Sequence, residues 1–475
     1  VNNYTQLNHI QSDIASGKIT LSGLVSHYLK VIDEKKHLNA FLEVFADEAL
    51  QRAEHIETKI KNGTAGKLAG MVIAIKDNIC YKGHKVSASS KILEGFESLF
   101  SATVVERILA EDAIIIGRVN CDEFAMGASN ENSAFGPVLN DADNSRVSGG
   151  SSGGAAVAVQ SGMCLAALAS DTGGSIRQPA AFCGVYGLKP TYGRVSRNGL
   201  IAYASSFDQI GPITRSIADM QQLMEVISGQ DEMDATTSAH QVESYSAFTT
   251  DKKYRIGYLK EALNHEGVDT DVKDATFSAI EQLKKLGHTV DEVSFDLLDY
   301  LVPTYYVLTT AEASSNLSRF SGLMYGYRSP NATDLESTFR LSRTEGFGPE
   351  VKRRIMLGTF VLSAGYMDAY YTKGQKVRRL VQQKTQEILQ QFDFIISPTT
   401  PTPAFKLGEK SNNPIAMYLA DIFTVHANIA GVPAISVPAG QSADGLPIGI
   451  QLMANNFDEA ALMYLAGQIS LSENR

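Results

Sequence analysis

Two glycine-rich turns, each presenting serine, are where this chain could do covalent chemistry: Gly149-Gly150-Ser151-Ser152-Gly153-Gly154 and Asp171-Thr172-Gly173-Gly174-Ser175. Glycine lacks a Cβ, so such turns reach left-handed conformations and bring backbone N–H groups close to a ligand, as an oxyanion pocket requires. Taken alone, GGSSGG also reads as a flexible linker. The apolar run over residues 155–169 argues against that, because it demands burial and reads as a tightly packed helix followed by a buried strand.

A serine hydroxyl is a weak nucleophile until a base removes its proton. Histidine is one candidate base, and Gly149-Gly150-Ser151-Ser152-Gly153 formally matches the G-x-S-x-G nucleophile elbow. That elbow follows a buried strand, whereas residues 137–148, PVLNDADNSRVS, are polar and turn-prone. No histidine lies between His84 and His240; His426, near Asp421, is the least poor candidate, although a histidine on an apolar helix ordinarily packs as a structural residue. Lysine is the other candidate. Residues 71–75, MVIAI, read as a buried strand and are followed at once by Lys76-Asp77-Asn78. A lysine at such an edge is desolvated, which lowers its pKa and frees a neutral amine. On its local sequence alone, Lys76 also reads as a solvated loop cation.

These groups need a frame. Leu21, Leu24, Val25, Tyr28, Leu29 and Ile32 fall at helical spacing behind Thr20, a candidate N-cap. A short apolar stretch over 40–45 leads into a helix over 46–60 that stops near Asn62-Gly63. Residues 113–119, AIIIGRV, repeat the strand pattern, and the polar segment 229–253 reads as a surface excursion. Beyond it, 254–259 predicts a strand, and Val272, Ala275, Ile280, Leu283 and Leu286 predict a helix ended by Gly287. A long helical region is expected over 351–391, with strands at 394–396, 434–437 and 448–452. Strands alternating with helices predict an α/β fold on a largely parallel or mixed sheet, with ligands at the C-terminal strand edges.

Composition narrows the function. The 475 residues are 44% hydrophobic and 20% charged, ordinary for a globular protein. A formal net charge of −10 offers no general attraction to nucleic acid, so any RNA in the reaction is expected on a partner protein. The cysteines Cys80, Cys121, Cys164 and Cys183 are widely separated, so neither a metal site nor a disulfide framework is expected. With no apolar stretch of membrane-spanning length and a polar start, the expectation is a soluble, cytoplasmic protein. No Walker A loop is present.

The chain resembles the amidase signature family, through Ile75-Lys76-Asp77-Asn78, through GGSSGG with Ala155-Ala156, and through residues 171–196, DTGGSIRQPAAFCGVYGLKPTYGRVS. The resemblance implies one amidase signature domain over 1–475, an α/β fold with a central mixed β-sheet covered by α-helices on both faces. Its expected parts are a helical N-terminal region to about residue 65, core motifs over about 66–220, and a helical insertion and sheet return over about 250–475. It also implies a catalytic triad of Lys76, a bridging Ser151 and the nucleophile Ser175. Ser152 would make a supporting hydrogen bond, and the backbone N–H groups of Thr172, Gly173, Gly174 and Ser175 would form the oxyanion hole.

Within the family, residues 188–216, 311–320 and 345–360 are similar to the glutaminase subunits of tRNA-dependent amidotransferases. That likeness implies free glutamine as substrate, with Arg354 at its α-carboxylate, Asp421 at its α-ammonium and Tyr305 as a further polar contact. The residue types suit the task, because arginine pairs a carboxylate bidentately and aspartate takes an ammonium. It further implies no cofactor in this chain, ATP and magnesium used by the complex, and two partners, the B and C subunits. Charged tRNA, Glu-tRNA(Gln) and in many organisms also Asp-tRNA(Asn), would be held mainly by the partner. A stand-alone amidase acting on other carboxamides is the alternative.

Overall fold

The structure, a computed structural model, describes residues 4–410 and 413–470. The apolar runs form an eleven-stranded sheet: β1 (Phe41–Val44), β2 (Val72–Lys76), β3 (Ile114–Val119), β4 (Ala166–Asp171), β5 (Tyr186–Lys189), β6 (Gln209–Thr214), β7 (Arg255–Leu259), β8 (Thr289–Val293), β9 (Phe394–Pro398), β10 (Ala434–Gln441) and β11 (Pro447–Ala454). Their order across the sheet is β1-β3-β2-β4-β6-β5-β10-β11-β9-β7-β8. β2 runs parallel to β3 and β4, and β7 parallel to β8 and β9, while the remaining pairs are antiparallel, so the sheet is mixed.

Both faces are covered. On β9, Phe394 and Ile396 enter one hydrophobic core while Ile395 enters a second, as alternation across a pleated strand requires. The first core also takes Leu24, Tyr28 and Leu462 from helices, and the second takes Leu301, Leu308 and Val381. β2 is buried at all five positions, the signature of a strand covered on both sides.

Several elements follow their sequence signals closely. The helix Leu21–Glu34 is capped by Thr20, whose hydroxyl accepts from the Gly23 N–H at 3.0 Å. The small-residue run becomes the helix Gly153–Gln160 and then β4, both buried almost throughout. Other expectations change. The helical region over 351–391 is two helices, Pro349–Val361 and Lys373–Gln391, separated by turns and a short π-helical stretch at Asp368–Thr372; Gly365, at φ +85°, cannot continue an α-helix. The polar segment 229–253 has no helix or strand but is anchored, because Tyr245 is fully buried and its hydroxyl accepts from Arg194 Nε at 2.7 Å. Strands β5 and β6 lie at the middle of the sheet although β6, QIGPIT, carries glutamine, glycine and proline. The otherwise helical N-terminal region contributes β1 at the sheet edge.

No described helix is long and apolar enough to cross a membrane. The four cysteines are free and buried. Because β2, β3 and β4 are parallel, their C-terminal ends meet at one edge, which gathers Lys76, Asn120 to Asp122, and Asp171.

Candidate active site

Lys76 ends β2 and is fully buried. Its Nζ donates to Ser151 Oγ at 2.8 Å, to Ser152 Oγ at 2.8 Å and to Ser170 Oγ at 2.9 Å. Burial pushes the amine down to about 8, against the opposing pull of Cys121, Asp122, Asp171 and Asp208. The solvated-cation reading of Lys76 is therefore excluded. Its polar neighbours diverge: Asp77 pairs with Arg118 at 2.5 Å and accepts from the Ser89 N–H at 2.7 Å, while Asn78 Nδ2 donates to Ser170 Oγ at 2.9 Å.

The first serine turn is held from three sides. Gly150 N–H donates to Gln178 Oε1 at 2.9 Å, and Asp122 N–H donates to the Ser151 carbonyl at 3.0 Å. A Cβ on Gly150 would lie 2.1 Å from Asp122 Oδ2, so glycine is required there. Asp122 in turn accepts from the N–H groups of Asn130 and Asn132 at 2.9 and 3.0 Å, which fixes the neighbouring loop. The Gly150–Ser151 peptide bond is cis. Among the described residues no strand leads directly into this turn, and the nucleophile-elbow reading fails.

The second turn is built around Asp171, whose carboxylate accepts from Gly174 N–H at 2.8 Å, Ile176 N–H at 3.1 Å and Asn428 Nδ2 at 2.9 Å. Burial alone would raise its pKa; the charge and hydrogen bonds of Arg177, with Asn428, more than offset this and hold it at about 2. Gly173 packs against Tyr305, and Gly174, at φ +128°, against Thr424; a Cβ would lie 2.5 Å and 2.1 Å from those side chains. Thr424 Oγ1 donates to the Gly173 carbonyl at 2.7 Å. Because Asp171 takes the Gly174 N–H, the expected oxyanion set loses that donor, leaving Thr172, Gly173 and Ser175 as the candidates. Ser175 is 7% exposed, and its hydroxyl makes no hydrogen bond to a described residue, Ser151 included. Lys76, Ser151 and Ser152 are thus joined directly, and Ser175 stands in the neighbouring turn with its hydroxyl uncommitted.

The expected substrate-binding residues also meet on this side. Arg354 lies on the helix Pro349–Val361 beside Arg353 but, unlike it, is buried at 3% exposure. Its Nε donates to Glu350 Oε1 at 2.8 Å and its Nη1 to the Tyr203 hydroxyl at 2.9 Å. The guanidinium lies over the rings of Tyr203, Tyr306 and Tyr418, 5.6, 5.1 and 5.6 Å from their centroids. Asp421 is buried and its carboxylate accepts no hydrogen bond from a described residue; burial holds its pKa well above the usual carboxylate range, with Arg354 opposing. Tyr305 is buried against Gly173, linking these residues to the second serine turn. A cavity of about 140 Å³ lined by Ser129, Glu350, Arg353, Arg354, Lys410 and Tyr418 opens over the guanidinium; its lining does not include Ser175.

His426 makes no hydrogen bond to a serine among the described residues. Its Nε2 bonds Thr385 Oγ1 at 2.7 Å, it packs on Phe295 with ring centroids 4.2 Å apart, and burial lowers its pKa to about 3. Sequence reading missed Ser170, Asp122, Thr424 and the Tyr203–Glu350 surroundings of Arg354, which come from segments distant in the chain. Among the described residues no group of three or more His, Cys, Asp and Glu is arranged to hold a metal ion.

Comparison with known proteins identifies the family to which a chain with this fold belongs. An Amidase family profile matches residues 23–463, and the chain belongs to the amidase signature family. The chain is 51% identical over 462 residues to the A subunit of glutamyl-tRNA(Gln) amidotransferase from Chlorobaculum parvum, covering 96% of each chain. It is 53% identical over 444 residues to the protein of that name from Koribacter versatilis, covering 93% of this chain and 92% of the relative. The crystal structure of the A subunit of glutamyl-tRNA(Gln) amidotransferase from Thermotoga maritima superposes with a TM-score of 0.78 at 41% identity, covering 94% of this chain and 91% of that one.

Proposed function

We propose that this chain is the glutamine-hydrolysing component of a tRNA-dependent amidotransferase. The observation that carries the reading is the contact of Lys76 Nζ with Ser151 Oγ at 2.8 Å inside a fully buried site, beside a turn whose Ser175 hydroxyl is uncommitted. Neutral Lys76 takes a proton from Ser151 as Ser151 takes one from Ser175, and Ser175 Oγ attacks the side-chain carbonyl carbon of glutamine. The backbone N–H groups around Gly173 stabilise the oxyanion, a contribution of about 3 kcal/mol per donor in other enzymes. The proton on Lys76 returns through Ser151 to the departing nitrogen, which leaves as ammonia. Water then cleaves the glutamyl ester, giving glutamate and restoring Ser175.

Glutamine is selected at its two charged ends. Arg354 has Nε and Nη1 committed within the protein and Nη2 available to a carboxylate. Asp421, buried with no hydrogen bond to its carboxylate from a described residue, gains a counterion when the α-ammonium arrives. The near full-length identity of about half to proteins named as the A subunit of this amidotransferase supports the further steps: ammonia passes to a partner protein that uses ATP and magnesium to amidate tRNA-bound glutamate, in the cytoplasm. Ammonia release from glutamine, measured for the chain alone and then with its partner subunits and charged tRNA, tests this. Rapid hydrolysis of simple amides without partners would instead establish a stand-alone amidase.

A further inference from the structure

We propose that Ser170, held by Asn78, is a positioning residue that turns the amine of Lys76 toward Ser151 and favours its charged form. This rests on Lys76 being the base. Ser170 is buried near the end of β4, directly before Asp171. Its Oγ accepts from Lys76 Nζ at 2.9 Å and from Asn78 Nδ2 at 2.9 Å. Both donors belong to β2 and its continuation, so this hydroxyl ties the two strands together beyond their last paired residues, Ile75 and Leu168. Ser152 closes the arrangement, accepting from Lys76 at 2.8 Å and donating to the Ser170 carbonyl at 3.2 Å.

Hydrogen accounting separates the hydroxyls around Nζ. A lysine ammonium has three N–H donors, and the oxygens of Ser151, Ser152 and Ser170 receive them. A neutral amine keeps two N–H groups and one lone pair, so one hydroxyl must then donate to it. The Ser152 hydrogen is committed to the Ser170 carbonyl, which leaves Ser151 and Ser170; while Ser170 Oγ accepts from both Asn78 and Lys76, its hydrogen is directed away from Nζ. With Ser170 in that acceptor role, Ser151 is the hydroxyl that donates to Nζ, which is the direction the relay requires. The other groups acting on the amine are Asp122 and Cys121 after β3, Asp171 on β4 and Asp208 before β6, all independent of the Ser170 hydroxyl.

The test is the pH dependence of glutamine-dependent ammonia release by the chain assembled with its partner subunits. Removing an acceptor of the ammonium disfavours the charged form, so Ser170→Ala should move the acidic limb of kcat/KM down by about half to one unit. It should also lower kcat about tenfold, with the glutamine KM within about twofold of wild type. Ser170→Thr keeps the hydroxyl and should retain the wild-type limb. Ser170→Cys, a weak acceptor of similar size, should follow Ser170→Ala and serves if the alanine variant does not fold. A limb that stays in place or rises in the folded variants overturns the proposal while leaving the base assignment standing. Full turnover by Lys76→Ala, measured alongside, would remove the base itself and the proposal with it.

Discussion

Asp171 and Arg177 form a fully buried ion pair, with Arg177 Nη2 3.0 Å from Asp171 Oδ1, at the base of the turn that carries Ser175. The same carboxylate takes the N–H groups of Gly174 and Ile176 on either side of Ser175, so one pair sets the conformation of the whole turn. Arg177 also donates to the Thr424 carbonyl at 2.8 Å and to Asn428 Oδ1 at 2.6 Å, joining the turn to the C-terminal part of the chain.

Asp171→Asn leaves the Arg177 charge buried without its counterion and should cost about 3–5 kcal/mol, read as a shift in the urea midpoint. In the wild type this carboxylate has a pKa lowered to about 2 from its ordinary value of 3.8. Its contribution to stability is therefore complete above pH 3.8 and lost as pH falls through about 2, because the unfolded chain binds the proton first. Acid unfolding of Asp171→Asn should lack that component, and an unchanged acid titration would overturn the assignment.

Ser175→Ala should reduce glutamine hydrolysis by about 10³-fold or more, because the attacking oxygen is gone. Its melting temperature should match wild type, since the hydroxyl has no hydrogen bond within the described residues. Turnover at the wild-type rate would reassign the nucleophile.

Lys76, buried with its amine lowered to about 8, should give a kcat/KM profile that rises with pH to a plateau above about 8. Below that value the rate should fall about tenfold per pH unit, since only the neutral amine accepts the proton. Lys76→Ala should lose most of the rate together with this limb. A limb near 6.5, the usual histidine value, would return histidine to consideration.

Arg354→Lys keeps a positive charge but loses the planar fork, and should raise the glutamine KM about tenfold or more with a smaller change in kcat. Truncation to alanine is the poorer test, because Glu350 would lose its buried partner and the three tyrosine rings their cation. Asp421→Asn should likewise raise KM. Wild-type KM values for glutamine in both variants would move the substrate pocket elsewhere.

Gly174→Ala places a methyl 2.1 Å from Thr424 Oγ1 at φ +128°, a conformation that L-residues rarely adopt. It should destabilise the protein by more than about 2 kcal/mol and abolish hydrolysis. Thr424→Val removes the hydrogen bond to the Gly173 carbonyl while keeping the shape, and should lower kcat several-fold with a small loss of stability of about 1 kcal/mol. A wild-type kcat in Thr424→Val would show that this bond does not hold the turn.

Much of the frame was legible in the chain alone. The apolar runs at β2, β3, β9 and β10 and the spacing of the helix Leu21–Glu34 are local patterns, and local patterns survive folding because each must bury its own face. The serine turns were legible for the same reason, since clustered glycines have few other uses between buried segments. β6 was not, because its glutamine, glycine and proline are tolerated only by the strands on either side of it.

The residue types at positions 76, 151, 152 and 175 are a property of the sequence, and the candidate chemistry they point to is a serine activated by a nearby base. The surroundings of each candidate base were decided by the tertiary structure. Parallel pairing of β2 with β4 carries Lys76 out of water and onto Ser151, Ser152 and Ser170, whereas packing turns His426 toward Thr385. The same holds for Arg354, one of three adjacent cations in the sequence, which burial among tyrosines separates from its neighbours. Desolvation and hydrogen-bond partners depend on segments up to hundreds of residues apart, so no local pattern encodes them.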